Sequence, residues 1–368
     1  MNAERLHAIV VALNQEMTTT NSVGKLHELI NALHQVVNPP QPQSPSSHQQ
    51  ALSQSLKAMY AAVTDTPSDS FSPTWRQILS EIDGEALFGR SLKVAIEAIF
   101  AQNQITPAVA LAELQQLHKK LQSFKNALDQ SSASLKHFKI GDEKLSPGEC
   151  EIGVLIPRLA VDNKLLSFVG ELKELGFILN TFAEISTGNT DDLTIRTISS
   201  SDLLVHLQAS APYAACVAVC IERVVTLYKQ LLEIRKLHQE IRKQGVPDNE
   251  TSGIENYANQ LMEKGIDKIV IEVVKEYHKK DDKGRKHELT NAVRISLNKI
   301  ANRIDKGFNY EVRVAPTPKS ETEEKEDKEL QKAIATIQSA TANMQFMKLE
   351  GQPILQLPER EEKPKKKE

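Results

Sequence analysis

Apolar positions in the first 140 residues recur every three or four places, the spacing that gathers them on one face of an α-helix. Leu6, Ile9, Val10 and Leu13 mark one such face over 4–17, and Val23, Leu26, Leu29, Ile30 and Leu33 mark a second over 22–37. The spacing predicts a helix pair. Further helices are predicted over 49–63, 74–82 and 85–102, with linkers near 38–48 and 64–73 where prolines remove backbone donors and disfavour helical geometry in the residue before them. Thr106 and Pro107, a cap residue followed by a first-turn proline, open a longer helix that runs to about Phe138. Its Leu114, Leu117, Leu121, Phe124, Leu128 and Leu135 share one seam, and a seam requires a partner helix, in the same chain or in another.

From Glu149 the period changes. Cys150, Ile152, Val154 and Ile156 alternate as in a strand until Pro157 stops it. Asp162 is the expected N-cap of a helix with the seam Leu165, Phe168, Leu172, Leu175, Leu179 and Phe182, closed by Gly188. Two strands, 193–198 and 203–208, flank the polar turn Ser199 to Asp202. In the second of them Leu203, Val205 and Leu207 are expected to face inward, and His206 and Gln208 outward. One long helix over 212–244 follows, small-residued at its start and then seamed by Cys220, Val224, Leu227, Leu231, Ile234, His238 and Ile241. A helical hairpin over 253–278 and 286–306 comes next, and alternation returns at Phe308 to Val314.

The sheet elements therefore read β-α-β-β-α-β, the order of the split βαβ unit of ferredoxin-like domains. The expected class is α+β and predominantly helical. An N-terminal helical bundle over 1–140 precedes an α+β domain over 145–315 with a small four-stranded, mainly antiparallel sheet. Residues 212–306 form a helical-hairpin or coiled-coil excursion from that sheet. A charged, largely disordered tail over 316–368, with a helix over 330–347, completes the chain.

Composition narrows the function more than it names it. With 45 basic and 48 acidic residues the net charge is -3, so any polyanion would have to be held by a local patch. Three cysteines, Cys150, Cys216 and Cys220, are an odd number and suit a reducing, cytoplasmic setting. The uncharged run Leu203 to Ile221 approaches span length, yet His206, Gln208, Ser210 and Pro212 interrupt it, and no membrane span is expected.

Phosphate loops, dinucleotide turns, nucleophile elbows and zinc-protease helices are all missing from the sequence. Cys216 and Cys220 lie one helical turn apart, a spacing that serves core packing more often than metal. His278, Asp281, Asp282 and His287 gather at a connector, but Lys279, Lys280, Lys283, Arg285 and Lys286 there repel a cation. Asp191 and Asp192 read as loop carboxylates. No cofactor or metal is called for. The remaining candidates are an anion or nucleic-acid contact built from Lys279, Lys280, Arg285, Arg196 and Arg313, and a helix interface built from Leu114, Leu121, Leu128, Leu227, Leu231 and Ile234. The expectation is a non-enzymatic protein-interaction or assembly protein that binds a protein partner or a second copy of itself. The alternative is a nucleic-acid or nucleotide-binding protein that uses the outer face of the sheet and the basic connector.

Overall fold

A computed structural model describes residues 3–39, 45–141, 145–190, 193–199, 203–245, 247–278, 283–315, 325–347, 349 and 351–360. These residues form two compact units, Met1–Lys144 and Leu145–Glu368. The first holds helices α1 (Ala3–Thr20), α2 (Ser22–Val37), α3 (Pro45–Ala62), α4 (Pro73–Glu81), α5 (Gly89–Gln102) and α6 (Pro107–His137). Its core takes the predicted faces of α1, α2 and α6, with Leu13, Leu26, Leu29, Leu114 and Leu121 fully buried. Ser72 caps α4 by accepting a hydrogen bond from the Trp75 amide at 3.3 Å, with Pro73 in the first turn.

The second unit carries strands β1 (Cys150–Ile156), β2 (Ile195–Ser199), β3 (Leu203–Ala209) and β4 (Asn309–Val314). They make one antiparallel sheet in the order β2-β3-β1-β4, so β4 reaches β1 across about 100 intervening residues of the α8 to α11 excursion. Around the sheet lie α7 (Leu165–Thr187), α8 (Ala211–Lys229), α9 (Leu232–Lys243), α10 (Asp248–Tyr277), α11 (Lys283–Asp305) and α12 (Lys325–Asn343). One sheet face, made by Cys150, Ile152, Val154, Val205, Leu207 and Val312, enters a core shared with α7, α8, α10, α11 and α12. α8 is long and apolar enough to cross a membrane, and two thirds of that window is buried here.

Three expectations are corrected. Asp162 does not cap α7. It closes a short 3-10 turn over Arg158–Val161 in left-handed geometry, φ 51°, and α7 begins three residues later. The helix expected over 212–244 breaks at Gln230 and Leu231, because Arg235 turns its α9 face into the core toward Asp305. The predicted tail helix runs over Lys325–Asn343, and beyond it Met344, Met347, Ile354, Leu355 and Leu357 are buried. Apolar residues at 354, 355 and 357 follow neither a helical nor a strand period, so periodicity gave no warning of them.

That C-terminal strap is held by side-chain amides and one carboxylate instead of a strand ladder. Asn309 accepts from the Met347 amide at 2.7 Å and donates to its carbonyl at 3.1 Å, and Asn302 does the same with Leu357 at 3.0 Å in both directions. Asp305 Oδ2 accepts from the Ile354 and Leu355 amides at 2.6 and 2.7 Å. Its Oδ1 accepts from the Tyr228 hydroxyl at 2.5 Å and from the Arg235 guanidinium, which also donates to the Gly351 carbonyl at 3.1 Å. Asp305 and Tyr228 are fully buried. Burial and the adjacent carboxylate push the Tyr228 hydroxyl far above its ordinary pKa, which keeps it a donor.

Removing one member of such a buried pair strands the other charge in a low-dielectric site. Asp305→Asn is therefore expected to cost about 3–5 kcal/mol of second-unit stability. Urea unfolding followed by circular dichroism reads this as an earlier transition, and the exposed pair Asp267 and Arg294, broken as D267N, serves as the silent control.

Candidate functional site

The second face of the sheet carries Glu151 and Gly153 from β1, His206 from β3 and Glu311 and Arg313 from β4, with Glu149 just before β1. The register sets Gly153 directly between His206 and Glu311. A Cβ at Gly153 would lie 2.6 Å from Glu311 Cγ and 2.9 Å from His206 Cε1, so the glycine is what lets both side chains lean over β1. Glu151 Oε1 then lies 3.0 Å from His206 Nδ1, and Glu311 Oε1 lies 3.7 Å from the same nitrogen. Glu151, His206 and Glu311 are at most 1% exposed.

Two guanidinium groups border this group. Arg313 donates to Glu151 Oε1 from Nη2 at 2.9 Å and from Nε at 3.2 Å. Arg196 stands where the β2–β3 register shifts, and it pairs with Glu149 and, at 3.5 Å, with Glu151. Three carboxylates, Glu149, Glu151 and Glu311, thus share this face with two guanidinium groups. Neither ring nitrogen of His206 makes a directed hydrogen bond, so the 3.0 Å approach at Nδ1 lies off the hydrogen-bond direction.

A second feature lies on α7. Its inner side packs Leu175, Ile178, Leu179 and Phe182, while its outer side presents Leu165 at 75% exposure, Leu166 at 84%, Val169 at 37% and Phe177 at 43%. Gly170 and Gly176 belong to the same outer side, and an added Cβ at either would meet only open space. At 100° per residue these positions share one stripe with Lys173 as its one charged residue. Glu171 and Glu174 lie off this stripe and pair with Arg303 and Lys299 of α11, so two sides of α7 are apolar, one buried and one exposed.

The sequence-derived candidates fall as follows. Arg196 and Arg313 belong to the sheet network, and Arg285 is held by Glu184 and Glu288. Lys279 and Lys280 lie outside the described residues, as do Asp191, Asp192, Asp281 and Asp282. Leu114, Leu121 and Leu128 are buried in the first unit and Leu231 in the second, with Leu227 and Ile234 packed against the second core, so these seams close within their own units. Cys216 and Cys220 are fully buried free thiols in the core, and burial raises Cys216 well above its ordinary pKa. Cys150 is pushed up to about 12 by burial and by the neighbouring Glu149.

His206 is the principal correction: it was expected to face outward and is completely buried. Sequence reasoning passed over Glu149, Glu151 and Gly153. The available signal was a glycine in mid-strand beside alternating carboxylates, which marks a close approach of neighbouring side chains. No family model, curated protein or solved structure matches the chain.

Gly153→Ala is expected to destabilise the second unit by about 1–3 kcal/mol through overpacking. Adding Glu311→Ala should restore part of that loss, and a double-mutant cycle on thermal unfolding measures the recovery.

Proposed function

We propose that the protein is a non-enzymatic assembly protein that pairs with a second copy of itself through the outer face of α7. The observation that carries this reading is the stripe of Leu165, Leu166, Val169, Gly170, Gly176 and Phe177, apolar and exposed on a helix whose other side is already buried. A face of this kind marks an interaction surface. The two glycines weaken the helix by about 1 kcal/mol each relative to alanine, and among the described residues no neighbour needs the space they leave.

A second copy fits because the middle of the stripe, Val169 to Phe177, is symmetric about Lys173. In an antiparallel two-fold pairing centred there, Val169 meets Phe177 of the partner copy and Gly170 meets its Gly176, so large positions face medium ones and vacancies allow the backbones to approach. Lys173 then lies on the two-fold axis beside its own copy, and its long stem must carry the ammonium sideways out to solvent. The three free cysteines accord with a reducing, cytoplasmic setting. A nucleic-acid role has less support, since Arg196, Arg285 and Arg313 are each engaged by carboxylates and offer little to a phosphate.

Light scattering behind size exclusion, at concentrations up to about 100 μM, tests the proposal. The full chain should run as a dimer, V169E/F177E as a folded monomer, and K173L as a tighter dimer. A strictly monomeric full chain, or a dimer indifferent to V169E/F177E, would sink the assembly reading.

A further inference from the structure

We infer that Glu151, His206 and Glu311 form a binding site for one borderline divalent transition-metal ion, Zn²⁺ foremost. Among the described residues these three offer ligand atoms that all lie within 4.8 Å of one another, from three adjacent strands and with every side chain buried. One imidazole with two carboxylates is a donor set suited to Zn²⁺, and also to Mn²⁺ or Fe²⁺, in preference to Ca²⁺, which takes oxygen donors alone.

Geometry supports an ion more than a simple ion pair. Bonds of about 2.0–2.1 Å at tetrahedral angles place neighbouring donor atoms about 3.3 Å apart. The separations from His206 Nδ1 to Glu151 Oε1 and to Glu311 Oε1, 3.0 and 3.7 Å, bracket that value. Meanwhile Nδ1 makes no directed hydrogen bond to either oxygen, and Nε2 has no partner although it is fully buried. A nitrogen that close to two carboxylate oxygens, without hydrogen-bond alignment, is placed as a ligand would be.

The surroundings match. Gly153 clears the space above β1 in which the three donors converge. Arg313 donates to Glu151 Oε1 itself and Arg196 approaches Glu151 Oε2 at 3.5 Å, so the two guanidinium groups hold this carboxylate in orientation and an ion would share Oε1 with Arg313. This site is independent of the α7 surface.

The test is metal content and uptake by the full chain. Chain purified without chelator should carry about one ion by mass spectrometry of the metal. Chain stripped with chelator should take up Zn²⁺ in calorimetry and give cobalt absorption bands of low-coordinate geometry with Co²⁺. H206Q and E311Q should each weaken uptake tenfold or more, as should the loss of any ligand, while H287A on the exposed part of α11 leaves it unchanged. E311Q keeps shape and volume, so it reads the site even if H206Q fails to fold. A folded full chain that takes up neither Zn²⁺ nor Co²⁺ overturns the site, and so does uptake unaltered by E311Q or lost in H287A.

Discussion

Asp305 is the residue on which the second unit depends. It ends α11, and its two oxygens receive four donors from three separate parts of the chain: Tyr228 on α8, Arg235 on α9, and the Ile354 and Leu355 amides of the C-terminal strap. A carboxylate removed from water is costly unless each lone pair is met. Here the same bonds that satisfy the charge fix where α9 departs from α8 and where the strap crosses the helices. The bend at Gln230 and the course of residues 351–360 are one solution to one desolvation problem.

Much of the architecture was legible because it rests on period and punctuation. The leucine seam of α6, the strand alternation at Cys150–Ile156 and Asn309–Val314, and the glycine at the end of α7 each follow from local rules. Gly188 adopts φ 81° and its amide bonds the Glu184 carbonyl, as a left-handed cap does. What stayed hidden rests on long-range polar pairing. Nothing local marks Asn302 or Asn309 as the partners of backbone 38 to 55 residues away, and nothing marks Arg235 as a residue to be buried. A hydrophobic seam through Leu231, Ile234 and Ile241 reads as one straight helix until Arg235 is known to face Asp305.

The sheet illustrates the same division. Alternation correctly separates Ile152, Val154 and Val205 from Glu151 and His206, yet it assigns the second set to solvent, the usual fate of polar strand residues. The reversal comes from charge matching across three strands, with Arg313 and Arg196 drawn over Glu151 and a glycine admitting the imidazole. Such a polar layer is high in stakes: satisfied, it fixes the register of β3, β1 and β4 against one another, since a one-residue slip would send every one of these side chains to the opposite face.

The bulge at Arg196 has a further effect at the margin of the sheet. On the β4 side, Thr341 of α12 donates to the Val312 carbonyl, so a helix occupies that border. β2 is the terminal strand on the other side, five residues long, with Ile195 and Ile198 turned partly outward. A flat apolar strand in that place would be a template for amyloid-like stacking, but the register shift twists it and places Arg196 just inside its start. The arginine that balances the buried carboxylates also guards the molecule against edge-to-edge aggregation.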